Sequence, residues 1–175
     1  MIANITLTTK EKFLLEDQKT NEEQCIQKYS NYTNLASDDQ LKAVFRSNGK
    51  KEEEHLQTIN QLLSGSVPSM NNQPSGGQQQ SQQQQQPAQP QEQPKPQSDS
   101  IQQQGNSTNF KASDKDLCTD ALMTEKYVSG AYNTAIFEFR DAQVRDVLNH
   151  IQKEEQKHGE AIYMYMESKG MYSPK

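Results

Sequence analysis

Apolar residues recur at three- and four-residue intervals through four stretches of the chain, with polar residues between them. The first stripe reads Leu15, Gln18, Glu22, Cys25, Tyr29, Tyr32, Ala36, and the second Leu41, Phe45, Asn48, Glu52, His55, Ile59, Leu62. The third reads Cys118, Ala121, Glu125, Val128, Tyr132, Ala135, Phe139, and the fourth Val144, Leu148, Ile151, Glu155, His158, Ile162, Tyr165. This spacing puts each set on one face of an α-helix, so helices are predicted near residues 9–35, 38–63, 114–139 and 142–168. Thr8 with Glu11, Ser37 with Gln40 and Ser113 with Asp116 resemble capping boxes at three of the starts. The helices are matched at ~25 residues, or ~38 Å, and no strand-like alternation of useful length competes. The predicted class is all-α, a four-helix bundle made of two helical hairpins. Asn48-Gly49 is a turn-prone pair inside the second helix, the place where a kink or break would fall.

Composition changes this picture in the middle of the chain. Only 31% of the 175 residues are hydrophobic, against roughly 45–50% in an average globular chain. The deficit lies in residues 66–112, where Gln fills 15 of the 27 positions from Gln78 to Gln104 and six of the seven prolines fall between Pro68 and Pro96. That segment has too few large apolar groups to build a core and reads as a disordered Gln/Pro-rich linker. The organisation is thus an N-terminal hairpin at 1–65, a linker at 66–112 and a C-terminal hairpin at 113–175. The net charge of -5 is spread without a basic patch, which leaves no electrostatic footprint for nucleic acid. The apolar runs are too short for a membrane span, and Met1–Phe13 lacks a signal-peptide pattern, so synthesis in the cytoplasm is expected. Cys25 and Cys118 have no metal-knuckle or redox spacing and read as buried free thiols filling the core.

Sliding the chain on itself by 103 positions aligns the hairpins without a gap: Leu14 on Leu117, Asp17 on Asp120, Glu22 on Glu125, Tyr29 on Tyr132, Asp38 on Asp141, Glu52 on Glu155 and His55 on His158. Each hairpin therefore offers one Glu on its first helix and, 30 positions later, a Glu-x-x-His on its second. Residues i and i+3 share a helix face, and all six side chains lie on the apolar stripes. Four carboxylates and two imidazoles buried together would repel or neutralise one another unless cations joined them. One Glu from each of two helices plus a Glu-x-x-His from each of the others is the ligand plan of ferritin-like di-iron and di-manganese bundles. Mixed carboxylate and imidazole donors suit Fe, Mn or Zn. The candidate ligands are Glu22, Glu52, His55, Glu125, Glu155 and His158, with Tyr29 and Tyr132 as hydrogen-bond donors to ligand carboxylates. The competing reading is a vestigial bundle whose polar core is protonated or hydrated. Glu23, Glu53, Glu54 and Glu154 fall on other faces and read as solvated, as does His150; the cluster Tyr163, Met164, Tyr165, Met166 reads as a packing surface.

The segment Asp116–Tyr172 resembles the coat F family of spore coat proteins. The resemblance rests on Glu125-Lys126-Tyr127, Tyr132-Asn133, the Arg145–Ile151 stretch, the Glu155-to-His158 spacing and the terminal Lys169-Gly170-Met171-Tyr172. It covers about one third of the chain, and the N-terminal hairpin joins it chiefly through the repeat. It implies a ferritin-like bundle in a protein deposited on endospores, with a structural or assembly role and other spore coat proteins as partners. The linker is far longer than a crossover along the bundle needs, which permits a homodimer by hairpin exchange. The alternative function is a di-metal redox enzyme, manganese-catalase-like or a ferroxidase, in which Glu22 and Glu125 bridge the ions. No catalytic residue is assigned.

Overall fold

The computed structural model describes residues 3–68 and 112–172; the expected linker lies almost wholly outside them. Four helices, α1 (Thr9–Leu35), α2 (Asp39–Leu63), α3 (Asp114–Ile136) and α4 (Ala142–Ser168), form a four-helix bundle of two hairpins. The α1–α2 hairpin packs on the α3–α4 hairpin through α1 against α3 and α2 against α4. Both of these pairs are antiparallel. Lys10 and Lys28 of α1 meet Glu138, just past the end of α3, and Asp120 in its first turns, while His55 of α2 meets Glu154 of α4 and Asp38 meets Lys169.

Local chemistry fixes the helix ends. Thr8 and Ser113 make true capping boxes with Glu11 and Asp116, each box satisfying two of the amides left free in a first turn. The third box differs from expectation. α2 is capped by Asp38, whose Oδ1 accepts from the Gln40 and Leu41 amides at 2.7 and 3.3 Å, while Ser37 gives its own amide to Asp114. Asp141 caps α4 in the same way, so the repeat extends to the caps. α3 stops at Ile136, three residues earlier than its stripe suggests. Arg145 reaches back to the carbonyls of Phe139 and Arg140 at 2.8 and 2.9 Å, which holds Phe139 in the core outside the helix.

Two features were not legible as pattern. Ala3–Asn4 pairs antiparallel with Ser66–Val67, a two-residue ladder that fastens the start of α1 to the end of α2 and takes Ser66 and Val67 from the segment that composition assigns to the linker. Gly65, at φ 84°, makes the turn out of α2 that only glycine adopts cheaply. The second feature is continuity: α2 runs unbroken through Asn48-Gly49. A Cβ on Gly49 would stand 3.0 Å from Cβ of Tyr29, so this glycine serves close approach of α1 and α2 rather than a turn.

The predicted stripes are the buried faces. The core falls into two apolar halves, one around Leu15, Val128, Leu148 and Ile151, the other around Leu41, Phe45, Cys118 and Ile162. Neither half contains Glu22, Glu52, His55, Glu125, Glu155 or His158, all of them buried. Those six form a polar layer across the interior, with apolar layers above and below it.

Candidate metal centre

Each ligand candidate is placed by its own helix: Glu22 by α1, Glu52 and His55 by α2, Glu125 by α3, Glu155 and His158 by α4. The structure brings all six together as two overlapping groups. Glu22, Glu52, His55 and Glu155 form one, Glu52, Glu125, Glu155 and His158 the other, with one ligand atom of every member within 4.8 Å of those of the rest of its group.

Glu52 and Glu155 are the shared members. Glu52 turns Oε2 to His55 Nδ1 at 3.1 Å and Oε1 to His158 Nδ1 at 3.2 Å. Glu155 does the same, with Oε1 at 3.0 Å from His55 and Oε2 at 3.5 Å from His158. Glu22 approaches only His55 and Glu125 only His158, each at 3.7 Å. Bridging by Glu22 and Glu125 is thus not what the geometry offers. The antiparallel α2–α4 pair sets its two glutamates face to face between the imidazoles, and the α1 and α3 glutamates close the outer ends.

Tyr29 and Tyr132 act across the molecule. The Tyr29 hydroxyl donates to Glu125 and the Tyr132 hydroxyl to Glu22, so each hairpin grips the other's carboxylate. Asn48 donates to the Tyr29 oxygen at 3.3 Å. The imidazoles stack with centroids 5.6 Å apart.

Glu154 is a member of this environment that the pattern missed. It is half-buried, not solvated, and its Oε2 lies 3.0 Å from His55 Nε2. The one signal for it was a break in the repeat, because position 51, its counterpart, holds Lys51. His150, expected on the surface, is exposed and 3.6 Å from the same carboxylate. Cys25 and Cys118 are buried free thiols. Burial raises both, Cys118 to about 12.

Charge in the layer is strongly perturbed. Burial pushes Glu22 and Glu125 up to about 8. For Glu155 burial acts upward too, but the neighbouring imidazoles of His158 and His55 outweigh it and hold the group near 2. Burial would lower both imidazoles; the surrounding carboxylates win and raise them, His158 to about 11. The hydrogen bond from His55 draws Glu154 down to about 2.

Hydrogen bonding leaves this layer incomplete. Among the described residues, the buried side-chain oxygens and nitrogens without a hydrogen-bond partner are Glu22 Oε2, Glu52 Oε1, Glu125 Oε2, both oxygens of Glu155, and Nδ1 and Nε2 of His158. Every one belongs to the six-residue set. Sealed orphan atoms cost about 1–3 kcal/mol each, and their convergence on two points is a donor set that fits divalent cations.

Among the described residues no helix is long and apolar enough to cross a membrane. No curated protein and no solved structure matches the chain. A family model does match: residues 113–175 fit the Coat F domain. The match begins at Ser113, the residue that caps α3, and takes in α3 and α4 with their Glu125, Glu155 and His158. The C-terminal hairpin, residues 113–175, is thus similar to the Coat F domain.

Proposed function

We propose that this chain is a spore coat protein that builds its bundle around two divalent cations, iron or manganese, held by Glu22, Glu52, His55, Glu125, Glu155 and His158. The observation that carries the reading is the confinement of the unpartnered buried polar atoms to five of those six residues. The sixth, His55, turns Nδ1 into the same cluster and has Nε2 bound by Glu154. Glu52 and Glu155 would bridge, Glu22 and Glu125 would each serve one ion, and Tyr29 and Tyr132 would fix the outer carboxylates. Bound ions would supply charge neutralisation for the buried carboxylates and, with iron or manganese, one-electron chemistry.

The role proposed for the protein is structural: a cross-braced unit in the coat, assembled with other coat proteins. The metal would lock one hairpin to the other, because neither holds a complete ligand group. Elemental analysis after anaerobic exposure to Fe(II) and to Mn(II), followed by desalting, tests this. About two ions per chain are expected, lost in the Glu22→Ala/Glu125→Ala variant; no ion in either protein would overturn the reading.

The redox-enzyme alternative has one observation in its favour. A groove of about 910 Å³ between α3 and α4 has Glu125 and Glu155 in its lining, giving small molecules an approach to the layer. Peroxide consumption by the loaded protein at many turnovers per site would support it, and none with either metal would remove it.

A further inference from the structure

The two halves of the polar layer share a ligand set but not surroundings. At the first, His55 has both ring nitrogens engaged: Nδ1 faces the glutamates, and Nε2 is held by Glu154 at 3.0 Å. At the second, His158 turns Nδ1 to the glutamates and leaves Nε2 sealed without a partner. The repeat shows why. Residue 154 corresponds to residue 51, and Lys51 carries no acceptor; its ammonium is engaged by Glu54 at 2.5 Å.

A second break in the repeat lies beside the same histidine. Gly159 follows His158, whereas its counterpart after His55 is Leu56. Gly159, Gly130 and Ser129 leave the α3–α4 groove open down to Glu125 and Glu155. The groove between α1 and α2 is about 350 Å³, and none of the six candidates lines it. A Cβ on Gly159 would meet Leu122 at 3.5 Å and Glu125 at 3.9 Å, both ordinary contacts, so the backbone there tolerates a side chain at the floor of the groove.

Resting on the two-cation reading, we infer that the positions are unequal: the ion at Glu125 and His158 enters and leaves through the α3–α4 groove, while the ion at Glu22 and His55 is enclosed. A carboxylate on the distal nitrogen of a metal-binding imidazole fixes the ring and raises its basicity, and its removal typically costs about 10–100-fold in affinity. Only His55 has that support. The exchangeable position is also the one with the thin wall, so both asymmetries act in the same direction.

Full-length protein loaded anaerobically with Co(II), then mixed with excess EDTA and followed by Co(II) absorption, tests this. Two release phases of one ion each are expected, the first about 10-fold or more faster. Gly159→Leu should slow the fast phase and leave the slow one unchanged. Glu154→Ala, at a half-buried position outside the ligand set, should speed the slow phase about 10-fold or more, and circular dichroism identifies any variant that has lost its helices. A single phase for both ions would overturn the inference and leave two-cation binding standing, as would a fast phase indifferent to Gly159→Leu in a folded variant. Failure to bind Co(II), Fe(II) and Mn(II) alike would overturn the two-cation reading itself.

Discussion

Tyr29 and Tyr132 show how much one hydroxyl can be asked to do inside this protein. Each is buried, each donates to a carboxylate of the other hairpin, and burial beside that carboxylate raises its own proton affinity, so it stays a donor. Tyr132→Phe frees Glu22 and Tyr29→Phe frees Glu125. Each should weaken cation binding by about 10–100-fold with little change in shape, measurable by competition with a chelator of known affinity. Protons and cations also compete for this layer. In protein stripped of metal, Glu22 and Glu125 hold protons that the unfolded chain gives up near 4.5, and His55 and His158 hold protons given up near 6.5. The native state then binds more protons than the unfolded state between about pH 5 and 8, so stability falls as pH rises through that window. The melting temperature of chelator-treated protein should drop from pH 5 to 8. Cation-loaded protein should show the opposite slope, because binding displaces those protons.

At the scale of the helix, caps and close approaches carry predictions of their own. Asp38→Ala should cost about 1 kcal/mol of unfolding free energy, and Ser37→Ala far less, since the Ser37 side chain takes no part in the cap. Denaturant melts of the two variants decide between them. Gly130 and Gly49 make a second contrast. A Cβ at Gly130 meets nothing within 4 Å, so Gly130→Ala should gain up to about 1 kcal/mol of helix propensity. Gly49→Ala forfeits that gain, because its Cβ would press on Tyr29 at 3.0 Å and shift a residue that holds Glu125. Much of this level was written in the chain. The stripes on α2 and α4 are the buried faces because a 3–4 period allows a bundle helix one inward side, and the polar residues on them stood out as departures from that rule. The cap of α2 was off by one residue because Ser37-Asp38-Asp39 offers three acceptors in a row, and only the backbone angle at Asp38 selects among them. The early end of α3 depends on Arg145, which reaches the loop from the next helix.

For the whole molecule, a repeat of 103 residues becomes a bundle whose two hairpins complete each other's ligand groups. The repeat revealed the six candidates together, since matching polar residues at core positions twice over is hard to explain by packing alone. It also concealed what distinguishes the halves: Glu154 looked like one solvated acid among several because its reach to His55 crosses from α4 to α2. Which glutamates face each other was invisible for the same reason, as it follows from the antiparallel approach of α2 and α4 and not from position along either. The β-ladder escaped notice because two residues on each side carry no period. Ala3–Asn4 and Ser66–Val67 bring the beginning of the chain to the point where residues 69–111 depart. Deleting residues 1–7 should therefore loosen the end of α2 selectively, seen as faster amide exchange at Asn60–Gly65 than at α4.

The crossed grip of the tyrosines has a consequence for how such a chain can change over generations. Tyr29 answers to Glu125 and Tyr132 to Glu22, so a substitution in one half is felt as a fault in the other, and the two copies of the hairpin are yoked at those positions. They differ at 51 and 154, where Glu154 reaches across to His55 and Lys51 stays with Glu54, and at 56 and 159, where a leucine is matched by a glycine. A lineage descended from a doubled hairpin would then keep its symmetry in what it holds in common and write its individuality at the margins.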